Sequence, residues 1–441
     1  MTGITVGDIA AVTRGVLHGG NAGAEVSGAV IDSRAAGPGV MFCALPGERA
    51  DGHDYIASAL ERGAPCALAC RVPDGVTGPV IVVDDVARAM AALARHCRDA
   101  FNGPVVGIVG SSGKTTTKEM CACVLSERFN TLRTEGNLNN ELGVPLTLFR
   151  IAEDTEAAVV ELGISDFGEM HRLGAMARPD IAVYTLIGRS HLNCLHDLDG
   201  VLKAKTELLG EMRPDALVIV NGDDEKLRSL KARQRIVRYG VGAHNDVRAE
   251  NIALGEGVEF DVVRGQQRIH VRVPAFGRHL INAALAAAAV GLELGLTPEQ
   301  ISSGVEKYVP VGRRTNIVRT GGITIVDDCY NSNPDSAKLA IDSAADLGGR
   351  LVCVLGDMLN LGPGSRDMHE EVGRRALSRG AVLLTTGEES RAMGGEHFET
   401  RDELISALAE RIRPGDVVLV KASHAMGFEA VTEALKELFK S

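Results

Sequence analysis

One stretch constrains this chain more than any other: VVGIVGSSGKTTTKEM, Val105 to Met120. An apolar run suited to a buried strand leads into a loop of Gly and Ser, and the loop leads into a helix start. The glycines let the backbone turn so that successive N–H groups face one point. The first helical turn adds its own unpaired N–H groups and a partial positive charge. Gly110, Ser111, Ser112, Gly113, Lys114, Thr115 and Thr116 therefore read as a phosphate cradle. Lys114 can reach the outer phosphates, and the Thr115 hydroxyl can ligate Mg2+. Ile108 stands where the longer form of the motif has glycine, so the match is to the shorter GxxGK[ST] pattern. An ordinary glycine turn before a helix is the rival reading; the flanking strand and helix and the run of threonines weigh against it.

A phosphate loop does not name a reaction. It fits GTPase switches, transport motors, kinases and ligases. A guanine-reading NKxD motif is absent, since the nearest candidate is NGDD at Asn221. Around the loop, apolar runs alternate with helical segments: AAVVELG (157–163), IAVYTLIG (181–188) and ALVIVNGDD (216–224). This is the pattern of a parallel sheet covered by helices on both faces. Residues 245–275 alternate as antiparallel strands do, and INAALAAAAVGLEL (281–294) reads as a helix. A second αβ block follows VGRR, with strands at ITIVDD, RLVCVLGD, AVLLTTG and DVVLVK.

A chain of 441 residues is too long for one core. The expected architecture is α/β with three domains. An N-terminal α/β unit spans 1–85, a doubly wound phosphate-loop domain spans 86–313, and a Rossmann-like domain spans 314–441. A hinge is expected near Pro310 and Gly312. The net charge of −11 argues against nucleic acid or an anionic membrane as main partner. No stretch reaches the ~18 apolar residues of a spanning helix, and the first residues do not read as a signal peptide. Nine scattered cysteines without a CxxC pair read as reduced buried thiols of a cytoplasmic protein.

In a doubly wound sheet, ligands gather at the carboxyl ends of the strands. Glu161, His191 and Lys205 fall there. Each alone has a bland explanation, as a cap or a loop residue. Together they read as metal ligands. Lysine fits such a set only when neutral or carbamylated.

The segments GSSGKTTTKEM, EGNLNNELGVPLTL, VVELG, KAKTELL, VGRR, DDCYNSNPDS, LGDMLNLGPGSRDMH and LVKASHAMGFE, together with IDSR and PGERADGHDY, occur in the order seen in the Mur ligases. The resemblance covers nearly the whole chain and points to the branch that adds a dipeptide. It implies ATP-dependent joining of D-Ala-D-Ala to UDP-MurNAc-tripeptide through an acyl phosphate, in the cytoplasm, by a monomer needing two Mg2+ sites. A relative acting on a different carboxylate or amine is the alternative.

The resemblance also assigns roles. Gly110 to Thr116 would hold the ATP phosphates, with Lys114 catalytic. Thr115 and Glu161 would hold one metal; His191 and a carbamylated Lys205 would hold the other. Asn282 would meet adenine, Arg313 the phosphates, and Asp328 the nucleotide on domain closure. Ser33 and Arg34 would meet the UDP end, and Asn137 and Asn140 the sugar–peptide end. Asn331, Asn333 and Lys421 would also contact substrate. Turn roles compete for Ser33, Arg34, Asn331 and Asn333, and a solvated strand end competes for Lys421. The chain departs from the common family pattern at Leu280, Asn360, Ala422 and His424, and near Cys194.

Overall fold

The protein is described by a computed structural model over residues 1, 3–47, 50–255, 257–314 and 316–440. Glu48 and Arg49 of the PGERADGHDY stretch lie outside the described residues. Three larger sheets follow one another along the chain.

The first sheet has five strands in the order Val16–His18, Val80–Val82, Ala67–Ala69, Val40–Cys43, Gly28–Val30, parallel except for its first pair. Asp85 then caps the helix Val86–Ala100 by accepting from the Arg88 N–H. That helix buries Met90, Leu93, Ala94 and Cys97, one face at helical spacing. Arg98, near its end, donates to the carbonyls of Ala177 and Arg178 and to Asp180. These bonds tie the helix to the layer covering the next sheet.

The second sheet has nine strands. The phosphate-loop strand Val105–Val109 lies between Ala157–Leu162 and Ile181–Tyr184, parallel to both and fully buried. The apolar run at 181–188 leaves the sheet after Tyr184, and Thr185 to Gly188 form a loop. Two further strands, Thr131–Arg133 and Arg235–Gly240, escape the apolar pattern. The first is short, and the second carries Arg235 and Arg238 among its apolar residues. The alternating segment forms the antiparallel strands Val247–Leu254, Val258–Arg264 and Gln267–Val273 at the sheet's edge.

Below this sheet the helix Lys114–Leu125 packs on Leu280–Glu293 and Pro298–Glu306. Close approach depends on small residues: a Cβ at Gly304 would meet the Val124 Cα at 2.5 Å. With aromatics at 3%, this core is built mainly of Val, Leu, Ile and Ala, with Tyr239, Phe260 and Tyr308 among them. Truncating a fully buried Leu285 to Ala costs roughly 2–5 kcal/mol.

The third sheet runs Asn316–Thr320, Ile323–Asp327, Asp416–Lys421, Arg350–Gly356, Val382–Thr386, Glu396–Phe398, parallel after its opening hairpin. Asn333 opens the helix Pro334–Asp346 with a capping box to Ser336. Among the described residues no helix is long and apolar enough to cross a membrane. All nine cysteines are free, but not all are buried as expected. Cys70 is exposed, and Cys123 and Cys194 are partly so, because they sit on loop or helix faces outside the cores.

Candidate active site

The carboxyl ends of the central strands and those of the third sheet face each other across one cavity of about 720 Å³. Ser111 to Thr116 form one wall, Asn137, Asn140, Glu161 and His191 continue it, and Asn282 lies beneath. Asp328, Asn331, Asn333 and Lys421 come from the opposite domain.

The loop closes tightly because Gly110 has no side chain: a Cβ there would lie 1.9 Å from the Thr185 hydroxyl. Gly113 starts the helix with φ +79°, a left-handed conformation that glycine adopts without steric cost. Lys114 Nζ donates back to the Gly110 carbonyl at 2.9 Å. Burial pushes the Lys114 pKa down, the Glu161 carboxylate opposes this, and the nearby Arg314 charge adds to it. The Ser111 hydroxyl and the Asn282 carbonyl oxygen are buried with no hydrogen-bond partner among the described residues, although both residues line the cavity. Such orphaned groups are costly unless a ligand meets them.

The Thr115 hydroxyl lies 2.9 Å from Glu161 Oε2, and Asn139 Nδ2 donates to Glu161 Oε1 at 2.8 Å. Glu161 is further fixed from below. Its N–H donates to the Thr134 hydroxyl, and the buried Lys118 donates to the Thr134 carbonyl. The described residues assemble no cluster of three His, Cys, Asp or Glu. One hydroxyl plus one carboxylate beside a phosphate cradle nevertheless suits Mg2+, which binds through one or two carboxylates and substrate phosphates and keeps waters.

His191 begins the short helix Leu192–Leu195 with φ +54°, a left-handed backbone unusual for a side chain with a Cβ. Burial pushes its pKa down to about 4, reinforced by the charges of Lys205 and Lys114. Lys205 is 1% exposed on the helix Leu198–Thr206, beneath the cavity wall rather than on it. Burial drives its pKa well below the usual lysine value, Lys114 drives it further, and Glu169 opposes. Three basic groups thus converge, opposed by Glu161 at Lys114 and by Glu169 at Lys205, and a neutral amine or an anionic carbamate at Lys205 relieves the repulsion.

Not every expected site residue lines this cavity. Arg313 does not line the cavity; it donates to Asp327 and Glu433 of the C-terminal domain. Its neighbour Arg314 lines the cavity instead, with its guanidinium 3.9 Å from the centroid of the Tyr330 ring. Ser33 and Arg34 lie in a surface turn away from the cavity, where Asp32 accepts from both the N–H and the guanidinium of Arg34. Asn140 and Asn333 line the cavity but use their side-chain oxygens as local caps, to Gly143 and Ser336. Asn331 accepts from its neighbour Ser332.

Lys421 is not a solvated strand end. It is 2% exposed and donates to Asp328 Oδ2 at 2.6 Å and to the Asn331 carbonyl at 2.9 Å. Asp224 caps the short helix Glu225–Arg228 and also accepts from the Ile187 N–H at 2.8 Å, anchoring the loop before His191.

The departures from the family pattern have local reasons. Asn360 takes φ +63°, which Asn tolerates better than most residues. Leu280 is buried in the core. Ala422 packs where a Cβ added at Gly356 would meet it at 2.8 Å. The His424 ring stacks on Tyr330 with centroids 5.5 Å apart. Sequence reasoning missed Asn139, Arg314 and Tyr330. The EGNLNN run marked the region of Asn139 but not which asparagine turns to Glu161.

The chain is similar to known proteins along nearly its whole length. Residues 25–98 match the catalytic-domain profile of the Mur ligase family, 108–291 the Mur ligase middle domain, and 313–424 the Mur ligase glutamate ligase domain. The chain is 34% identical to the UDP-N-acetylmuramoyl-tripeptide–D-alanyl-D-alanine ligase of Bacillus subtilis, over 98% of each chain. It is 35% identical to the protein of the same name from Escherichia coli, over 99% of each. Among solved structures, MurF from Acinetobacter baumannii superimposes with a TM-score of 0.90 at 30% identity, covering 98% of this chain and 99% of that one. MurF from Thermotoga maritima in complex with ADP gives 0.84 at 28% identity, covering 93% and 97%.

Proposed function

This chain belongs to the Mur ligase family, and we propose that it joins D-Ala-D-Ala to UDP-MurNAc-tripeptide, converting ATP to ADP and phosphate and yielding the pentapeptide precursor of peptidoglycan. The observation that carries this reading is the single cavity in which a phosphate loop, Glu161 and His191 face the strand ends of a second domain. Full-length similarity to ligases of that name supports it.

The chemistry explains why such a cavity is needed. A carboxylate resists attack by an amine because its own negative charge repels the nucleophile. Transfer of the ATP γ-phosphoryl group to a carboxylate oxygen gives an acyl phosphate. The amine then attacks the carbonyl carbon, the C–O bond breaks, and phosphate departs with that oxygen. The protein's task is to bring two anions together and offset their charge.

The loop N–H groups and Lys114 hold the phosphates. Arg314 adds a cation from the hinge side, in the role expected of Arg313. Thr115 and Glu161 would hold one Mg2+; His191 and a carbamylated Lys205 would hold the second. Bound there, Mg2+ supplies charge neutralisation for the transferring phosphoryl group. Asn139 and Thr134 keep the Glu161 carboxylate aimed at the loop. Asn282 offers its unpartnered amide oxygen to the nucleotide base. Asp328, fixed by Lys421, brings the second domain to the nucleotide.

On this reading the units are 1–85 for the UDP end, with Ser33 and Arg34 as contacts, 86–313 for ATP, and 314–441 for the dipeptide. Asn137 and Asn140 sit on the precursor side, and Asn331 and Asn333 shape the loop that meets the amine. The enzyme works as a cytoplasmic monomer on small molecules.

The test is phosphate release with Mg2+–ATP, UDP-MurNAc-tripeptide and D-Ala-D-Ala, each omitted in turn, with mass analysis of the product. Release that requires all three and yields the pentapeptide supports the reading. Release without that product, or none, removes the substrate assignment.

A further inference from the structure

The loop that carries His191 is held from two domains at once. On the central side, the Leu186 carbonyl accepts from the Ser111 N–H at 2.8 Å, and the Ile187 N–H donates to Asp224. On the other side, the next residues are gripped by the C-terminal domain. The Arg189 N–H donates to Asp335 Oδ2 at 3.0 Å, and its guanidinium reaches Asp335 Oδ1 at 2.9 Å. The same guanidinium pairs with both oxygens of Glu371, at 2.6 and 3.2 Å. Lys338 braces Glu371 at 2.5 Å.

This contact differs from a surface ion pair in three ways. It is two-pronged, using a bidentate guanidinium and a backbone N–H. Arg189 is 23% and Asp335 26% exposed, so screening is reduced. And the loop backbone is pressed against the acid: a Cβ at Gly188 would lie 2.9 Å from Asp335 Oδ2. Two residues on, His191 holds the left-handed backbone described above, which persists only where its surroundings over-determine it.

We propose that Arg189 is a positioning residue, a clamp through which the docked C-terminal domain sets the backbone of the His191 loop. The ring of His191 is then delivered to the cavity only when the two domains are engaged. This rests on the ligase reading for its consequence in catalysis, but the clamp itself is a statement about two domains and one loop.

The experiment compares the full-length protein with Arg189→Ala, Arg189→Lys and Asp335→Asn. Three readouts are taken: small-angle scattering, affinity for a non-hydrolysable ATP analogue, and kcat with KM for the complete reaction. Arg189→Ala should enlarge the radius of gyration of the unliganded protein and lower kcat roughly 10–100-fold. Its analogue affinity should fall by less than kcat, because the phosphate loop is untouched. Arg189→Lys should recover part of kcat, keeping the charge and losing the fork. Asp335→Asn keeps an acceptor for the Arg189 N–H and should fall between them. Unchanged scattering and kcat in Arg189→Ala would overturn the proposal. So would equal losses of kcat and analogue affinity that follow a lowered melting temperature and are not relieved in Arg189→Lys. If wild type makes no pentapeptide, the substrate reading fails while scattering and analogue binding still decide the clamp.

Discussion

The Thr115 hydroxyl and the Glu161 carboxylate meet at 2.9 Å across the gap between the phosphate-loop helix and the neighbouring strand end. The hydroxyl donates to the carboxylate there, and the two together would hold one Mg2+, which binds through one or two carboxylates and substrate phosphates. Glu161→Gln keeps the size and the contact to Asn139 but removes the charge. Phosphate release should fall by roughly 10²–10³-fold, as for other lost electrostatic contacts at a reacting centre. Raising Mg2+ should restore part of it. The check is initial rate against Mg2+ concentration.

Arg313 and Arg314 separate cleanly by experiment. Arg314→Ala removes the cavity-facing cation and should raise the KM for ATP by about tenfold, the loss of one charged hydrogen bond of ~1.4 kcal/mol. Arg313→Ala leaves the buried Asp327 without its guanidinium partner. It should lower thermal stability and leave the KM for ATP little changed. Steady-state kinetics and melting curves on both variants decide the matter.

Lys205 should carry a carbamate in the active enzyme. Its depressed pKa supplies the free amine that carbon dioxide needs, and the product is an anion among His191 and Lys114. In protein equilibrated with 13C-bicarbonate, a carbamate carbon resonance is expected. It should vanish in Lys205→Gln together with most of the ligase activity. Absence of that resonance in fully active protein would remove the carbamate.

The pH dependence of stability follows from His191. Its native pKa is about 4, below the ~6.5 of an unfolded histidine. Between those values the unfolded chain binds a proton that the native protein does not. Stability therefore falls as pH drops from about 6.5 to 4 and takes no further loss from this group below 4. His191→Gln should show a smaller drop in melting temperature between pH 7 and pH 5. An equal drop in both proteins would assign the acid sensitivity to other groups.

The phosphate cradle was legible because it is local: strand, turn and helix start are contiguous, and their glycines announce the bend. The alternating αβ order was legible for the same reason, since buried parallel strands read as apolar runs. Facing was not. Arg313 and Arg314 are adjacent and alike, and only the path of the chain between two domains decides which turns inward. In GNLNN the sequence marks a loop but leaves open that Asn139 reaches Glu161 while Asn140 caps a helix. Lys205 lies under the cavity wall near His191, at a depth that helical phase and packing set and the sequence does not show. Arg189 carried no signal at all, since its partners lie 146 and 182 residues away.

The central claim is that a carboxylate is activated by phosphoryl transfer at the loop beginning Gly110. The most direct measurement uses UDP-MurNAc-tripeptide with 18O in the carboxylate that forms the new amide, together with ATP and D-Ala-D-Ala. An acyl phosphate breaks at the bond between the carbonyl carbon and the bridging oxygen. One 18O should therefore appear in each phosphate released, in step with pentapeptide formation. Phosphate free of 18O, with pentapeptide still formed, would contradict the account.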